Sequence, residues 1–159
     1  MTTAITIADF TPADEAATMA FCRQIFRDEG WPLDFMDPTI GNDFDAPRDV
    51  FLLVKQKETI IGCGALKELT AADALMTRFF VAPSHRGRGL ATILFEALFA
   101  RARELDYTSV VLDVNRNSAR AIRFYEKQGM ERFIPTPHPR WLESAPDERQ
   151  YAHYFRKRV

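Results

Sequence analysis

Cysteine is scarce in this chain. Only Cys22 and Cys63 occur, far apart in sequence and outside any C-x-x-C or Cys/His pattern. That spacing gives no cysteine-based metal pattern, and two small buried hydrophobes in a reduced, cytoplasmic protein are expected. Long apolar runs are also missing. None approaches the roughly 20 residues that a membrane-spanning helix needs. Charge of one sign is not in excess, since 21 Lys and Arg stand against 22 Asp and Glu, a net charge of −1. Such a balance argues against a nucleic-acid surface as the protein's main business. Met1 to Phe10 carries no basic stretch followed by an apolar one, so no secretory leader is expected. Internal repeats and low-complexity tracts are absent. What remains is 159 residues, 47% of them hydrophobic. That length suits one domain over residues 1–159 with a full core.

The pattern along the chain alternates strands and helices. Ala4–Phe10 sets Ile5 and Ile7 against threonines, a first strand. Thr11 can cap a helix, Pro12 suits its first position, and Asp14 faces the positive end of its dipole. Met19, Cys22, Ile25 and Phe26 recur at helical spacing until Gly30. The segment from Trp31 to Asp49, with three prolines and Gly41, reads as a loop with room for a short helix. Val50–Lys55 and Thr59–Leu69 are strands two and three, and Ala74–Val81 is strand four, ended by Pro83. Leu90 to Leu105 carries an amphipathic helical pattern. Ser109–Val114 is a short apolar strand of the kind found inside a sheet. Another helix runs to Gln128 and stops at Gly129. Glu131–Ile134 and Gln150–Arg158 are the last two strands, around a Pro-rich loop. This order predicts an α/β or α+β sheet with packed helices.

The sharpest local signal lies between strand four and the helix after it: Arg86-Gly87-Arg88-Gly89-Leu90-Ala91. The first N–H groups of a helix lack intrahelical partners and point outward together. The helix dipole adds partial positive charge there, so the end suits a phosphate or pyrophosphate. Gly87 and Gly89 let backbone approach the anion because no Cβ intrudes. Arg86 and Arg88 bring charge beside it. Other phosphate motifs fit worse. G-x-x-x-x-G-K followed by Ser or Thr is absent, and Thr92 breaks the last position of G-x-G-x-x-G. The turn also follows three earlier strands, not the first strand of a dinucleotide fold. By itself it equally fits a tight surface turn with solvated arginines.

Downstream stands Val111-Leu112-Asp113-Val114-Asn115-Arg116-Asn117-Ser118, and then Ala121-Ile122-Arg123-Phe124-Tyr125-Glu126-Lys127-Gln128-Gly129-Met130. Here the chain resembles the GNAT superfamily of N-acetyltransferases. That family carries R-x-x-G-x-G/A at its pyrophosphate turn, matched by Arg86 to Ala91. It also carries A-I-x-F-Y-E-K-x-G-F, matched by Ala121 to Met130, with Met130 in place of the usual Phe. Two motifs in the right order are far more specific than one. The resemblance covers about Ile60 to Met130; the first 50 and last 30 residues match only in outline.

The resemblance implies a central mixed, mostly antiparallel sheet of about seven strands, splayed between strands four and five, with helices on both faces. It implies acetyl-CoA as co-substrate and no metal. Strand four would carry a bulge, and backbone groups of Phe79, Phe80 and Val81 would meet the pantetheine arm. Amides of Arg86, Gly87, Arg88, Gly89, Leu90 and Ala91 would hold the pyrophosphate. Asn117 and Ser118 would touch the cofactor, or simply cap a helix. Tyr125 matches the family's general acid beside the sulfur, with packing as its bland role. The base is open. Many members carry a Glu early on strand four, where this chain has Leu75. Asp113 is the next candidate, twelve residues before Tyr125 as in the ribosomal-protein N-terminal acetyltransferases. Alternation sets Asp113 and Asn115 on one strand face and Leu112 and Val114 on the other. A structural Asp paired with an arginine is the competing role. Glu68 is a second candidate base.

His85 beside the turn would solvate phosphate, and His138 and His153 are surface or packing residues. The acceptor is an amine-bearing small molecule or peptide end. Asp28, Glu29, Asp34, Asp37, Asp43, Asp45 and Asp49 stand against Arg48 alone and could form an acidic lip for it, or a solvated loop. Trp31, Phe35 and Phe44 would line that groove or pack the loop down. Pro135–Pro146, with Trp141, is the other wall. A non-catalytic acyl-CoA-binding regulator on the same fold is the alternative function. A monomer and a homodimer both fit the last strand.

Overall fold

In a computed structural model, residues 4–33, 43–142 and 152–159 are described. The elements are β1 (Ile5–Asp9), α1 (Glu15–Glu29), β2 (Val50–Gln56), β3 (Thr59–Glu68), β4 (Asp73–Val81), α2 (Leu90–Glu104), β5 (Ser109–Asn115), α3 (Ala119–Lys127), β6 (Glu131–Arg132) and β7 (Ala152–Arg158). Short 3-10 turns at Pro12–Asp14 and Pro83–His85 precede α1 and α2. The expected strands and helices are present within a residue or two, except that β6 is shorter. Residues 34–42 of the loop from Trp31 to Asp49, in which the sequence left room for a short helix, lie outside the described residues. The strands form one seven-stranded sheet in the order β1-β2-β3-β4-β5-β7-β6. β1 with β2, β2 with β3, β5 with β7 and β6 with β7 run antiparallel, and β4 with β5 runs parallel. The mixed, mostly antiparallel sheet is the one the sequence implied. No helix among the described residues is long and apolar enough to cross a membrane.

The chain divides into two compact units, Met1–Lys67 with Thr77–Leu98, and Glu68–Met76 with Phe99–Val159. In the first unit the pleat of β3 sorts its residues between two helices. Cys63 and Ala65 join Phe51, Leu53, Met19 and Cys22 in one core cluster, so this face packs under α1. Gly64 points the other way. A Cβ there would lie 2.7 Å from Leu98 and 3.2 Å from Phe79, so glycine admits α2 closely onto the sheet. α1 ends at Gly30 in the left-handed region, φ 72°, with Trp31 N–H donating to the Phe26 carbonyl at 2.8 Å.

β4 holds an irregularity. Arg78, a non-glycine, sits at φ 50° in the middle of the strand. Left-handed backbone breaks the pleat and turns backbone groups out of the ladder, as a bulge does. The conformation costs about 1–2 kcal/mol at a residue with a Cβ. Neighbours hold it: Cys63 Sγ donates to the Arg78 carbonyl at 3.1 Å, and Asp43 lies 3.7 Å from its guanidinium.

In the second unit, Asp73–Leu75 pair in register with Ser109–Val111, and β5 pairs along its whole length with β7. Val110, Leu112 and Phe155 are essentially inaccessible and form the core there.

Candidate functional site

The turn before α2 has the expected form. Gly87 lies at φ 78° and Gly89 at φ 79°, and a Cβ built at either would meet no atom within 4 Å. Glycine is therefore required by backbone conformation, and the space above the turn is open. Gly89 C=O accepts from the N–H of Ile93 at 3.2 Å, so the helix begins directly after it. α2 runs fifteen residues from there, with no acidic residue in its first turn. Its outward N–H groups suit an anion.

The two arginines of this turn differ. Arg88 is exposed, as a phosphate partner would be. Arg86 is half-buried, and its guanidinium is committed inside the protein. Its Nε donates to the Val81 carbonyl at 3.1 Å and its Nη2 to Glu29 at 3.2 Å. The charge expected beside a phosphate is thus paired across the unit, and Arg86 fastens the end of β4 to the end of α1. His85 is held as well. Its Nε2 meets the Gln56 side-chain oxygen at 3.0 Å and its Nδ1 the Ser84 hydroxyl at 2.9 Å.

Phe79 and Phe80 follow Arg78 on β4. Phe79 packs edge-on against Phe95, and Phe80 against Phe26 and Trp31. Trp31 and Phe44 pack their segments down, Phe44 lying 5.0 Å from Phe51. Phe35 lies outside the described residues, as do Asp34 and Asp37 of the expected acidic lip. Asp43 bridges Lys67 at 2.5 Å and Arg78 at 3.7 Å, Glu29 holds Arg86, Asp28 accepts from Gln24, and Asp49 accepts from the Ala46 N–H. Asp43 and Glu29 are paired with cations and so project less field outward. The two cysteines, far apart in sequence, meet in the core cluster as free thiols. Burial pushes the Cys63 thiol well above its ordinary range.

In the second unit β5 sorts its side chains as alternation requires. Leu112 and Val114 are buried, whereas Asp113 and Asn115 are exposed. Asp113 faces Tyr154 across the ladder and Leu112 faces Phe155. The Tyr125 ring lies 6.3 Å from Phe155, and the Trp141 ring 5.7 Å from Tyr154. Asp113 and Tyr125 are therefore mounted on opposite faces of the β5–β7 ribbon. Tyr125 is 8% exposed. Burial first, and then the negative charge of Asp113, hold its phenol well above the ordinary tyrosine range. The phenol is protonated at neutral pH.

Among the described residues the partner of Asp113 is an indole and not an arginine. Trp141 Nε1–H donates to Asp113 Oδ1 at 2.8 Å. Sequence reasoning placed Trp141 only as part of a loop wall, because nothing local links positions 28 residues apart. Glu68, the other base candidate, is half-buried at the end of β3, and its backbone carbonyl accepts from Arg140. Asn115 Oδ1 accepts from the Asn117 N–H at 2.8 Å, closing the turn ahead of α3. Ser118 takes the N-cap position of α3 without a side-chain capping bond. Its hydroxyl is not spent on the helix, contrary to the plain capping role. His138 Nδ1 accepts from the Arg140 N–H, and His153 sits in β7 opposite Val114, both structural positions.

The comparisons agree with this geometry. A family model described as the acetyltransferase (GNAT) family matches residues 16–130. An uncharacterised N-acetyltransferase of Mycobacterium tuberculosis is 29% identical over 85 residues, 54% of each chain. The chain thus spans about half the length of the curated relatives it matches. A GNAT-family acetyltransferase from Staphylococcus aureus superposes with a TM-score of 0.80 at 16% identity, covering 98% of this chain and 99% of that one. An N-acetyltransferase from Thermoplasma acidophilum in complex with coenzyme A gives 0.73 at 14% identity, over 98% and 99%. At such identities the structures establish the fold alone. With the family model matched across most of its length, this chain belongs to the acetyltransferase (GNAT) family.

Proposed function

We propose that this chain is an N-acetyltransferase that moves the acetyl group of acetyl-CoA to a primary amine by direct attack in a ternary complex. The observation that carries it is the turn of Gly87 and Gly89, left-handed and open above, leading into α2 in a member of this family. A pyrophosphate fits amides free of any Cβ at the positive end of a fifteen-residue helix. Amides of Gly87, Arg88, Gly89, Leu90 and Ala91 hold it, and exposed Arg88 neutralises it. Arg86 contributes by fixing the strand end. Backbone groups of Phe79, Phe80 and Val81, beyond the bulge, take the pantetheine arm, and Asn117 and Ser118 touch the cofactor. Buried free thiols suit a cytoplasmic protein.

Acetyl-CoA supplies an acetyl group activated as a thioester. An alkylamine has a pKa of about 10.4, so its proton must be removed before attack. Asp113, exposed on the face of β5 opposite Tyr125, accepts that proton by way of water at the strand end. A β4 N–H steadies the oxygen as negative charge grows on it. Tyr125 donates to the departing sulfur. Thiols ionise near 8.5, below a phenol, so Tyr125 acts chiefly as a strong hydrogen-bond donor.

Calorimetry with acetyl-CoA, on the parent and on an Arg88→Glu, Gly89→Glu variant, tests the cofactor site. Binding that the variant abolishes, followed by CoA release with an amine from a panel, is the expected result. No binding by the parent ends the acetyltransferase proposal. Binding with no turnover on any amine would favour the non-catalytic acyl-CoA-binding regulator.

A further inference from the structure

We infer that Trp141 is a positioning residue for the reaction, holding Asp113 in the orientation in which it accepts the amine proton. The inference rests on the proposed function. Asp113 is a short, exposed side chain on a strand. Left alone, its carboxylate would rotate among staggered positions. The Trp141 indole N–H binds Oδ1 at 2.8 Å. One oxygen is thereby fixed, and Oδ2 is left to meet the water that relays the amine proton. A donor on Oδ1 also defines the plane of the carboxylate.

Trp141 is itself held from three directions. Its ring stacks on Phe133 at 6.3 Å with 29° between planes, and meets Tyr154 edge-on at 5.7 Å. Tyr154 is the residue facing Asp113 across the β5–β7 ladder, so indole and carboxylate sit over the same strand pair. The backbone around it forms a closed turn. His138 N–H donates to Leu142 C=O at 2.7 Å, Leu142 N–H returns to His138 C=O at 2.8 Å, and Trp141 N–H shares that carbonyl at 2.9 Å. Arg140 then fastens the turn to the Glu68 carbonyl at the end of β3. A long indole on a braced turn loses little freedom when it makes the bond. That is what a support for a reacting group requires.

The test is a double-mutant cycle with a spectroscopic arm. Trp141→Phe keeps an aromatic ring beside Phe133 and Tyr154 and removes the donor together with the second ring of the indole, a packing change that the Asp113→Asn background controls for. Expected is a kcat loss on the order of tenfold to a hundredfold, from loosened orientation, with KM for acetyl-CoA unchanged. In an Asp113→Asn background the same substitution should cost almost nothing further, because the indole acts through that carboxylate. In the ligand-free protein, the Trp141 indole N–H resonance should shift in Asp113→Asn and stay put in Tyr125→Phe. Equal losses in both backgrounds, full activity in Trp141→Phe, or an indole resonance indifferent to Asp113 would each overturn the inference. If the parent acetylates no amine, the failure belongs to the proposed function, and it removes the catalytic role of Trp141 with it.

Discussion

Gly89→Ala separates the two jobs of the turn before α2, because Gly30 offers a matched control. Both glycines lie in the left-handed region, φ 79° and 72°, and neither has an atom within 4 Å of where a Cβ would stand. Steric clash therefore contributes nothing at either position. The left-handed conformation costs a residue with a Cβ about 1–2 kcal/mol. Alanine returns about 0.4–1 kcal/mol by restricting the unfolded chain. The net loss should be about 1 kcal/mol at each site, a fall in Tm of roughly 2–4 °C for a chain of this length. Asn, which tolerates this region, should cost less than Ala at both. Urea unfolding of the four variants gives the stabilities, and calorimetry gives the affinity for acetyl-CoA. Gly30→Ala should bind like the parent, whereas Gly89→Ala should bind more weakly, since its methyl group enters the open space above the turn. Equal stability of Gly89→Ala and the parent would refute the conformational argument. Equal binding by Gly89→Ala would remove the anion from this turn.

Tyr125→Phe should keep the fold, since the ring retains its contacts with Phe124 and Phe155, and should lower kcat on the order of a hundredfold or more. Unchanged turnover would dismiss Tyr125 as the acid. The same pair of proteins reads the pH dependence of stability. Because the folded phenol is held above its unfolded value near 10, its contribution is complete below pH 10. Above that, the unfolded state loses the proton first, and stability falls as pH rises, by at most about 1.4 kcal/mol per pH unit. Denaturation at pH 9 to 11 should show a steeper decline for the parent than for Tyr125→Phe. The two arginines of the turn should also part company. Arg88→Gln should weaken acetyl-CoA binding in a salt-sensitive way with stability unchanged. Arg86→Gln should lose stability, about 1 kcal/mol for a half-exposed pair, and bind nearly as before. A reversed pattern in calorimetry and urea titration would put Arg86 on the phosphate.

The sequence by itself determined what depends on near neighbours. The strand alternation at Leu112, Asp113, Val114 and Asn115 is a property of successive residues, and it holds in β5. The left-handed turn at Gly87 and Gly89 and the start of α2 at Leu90 follow from local backbone sterics and the helix's own bonding pattern. The order of the two motifs gave the family and hence the sheet. Tertiary structure alone decided the partnerships. Arg86 and Arg88 are equivalent by composition, yet Arg86 meets Glu29 from 57 positions away. Asp43 looks like one acid in an acidic loop, and the fold spends it on Lys67 and Arg78. The left-handed backbone at Arg78 has no glycine to announce it, because Cys63 and Asp43 stabilise the conformation from other segments. Trp141 reaches Asp113 only because β7 and the turn before it bring a distant indole over β5. A charge or a donor acts over a few ångströms, and only folding determines which distant residues fall within that reach.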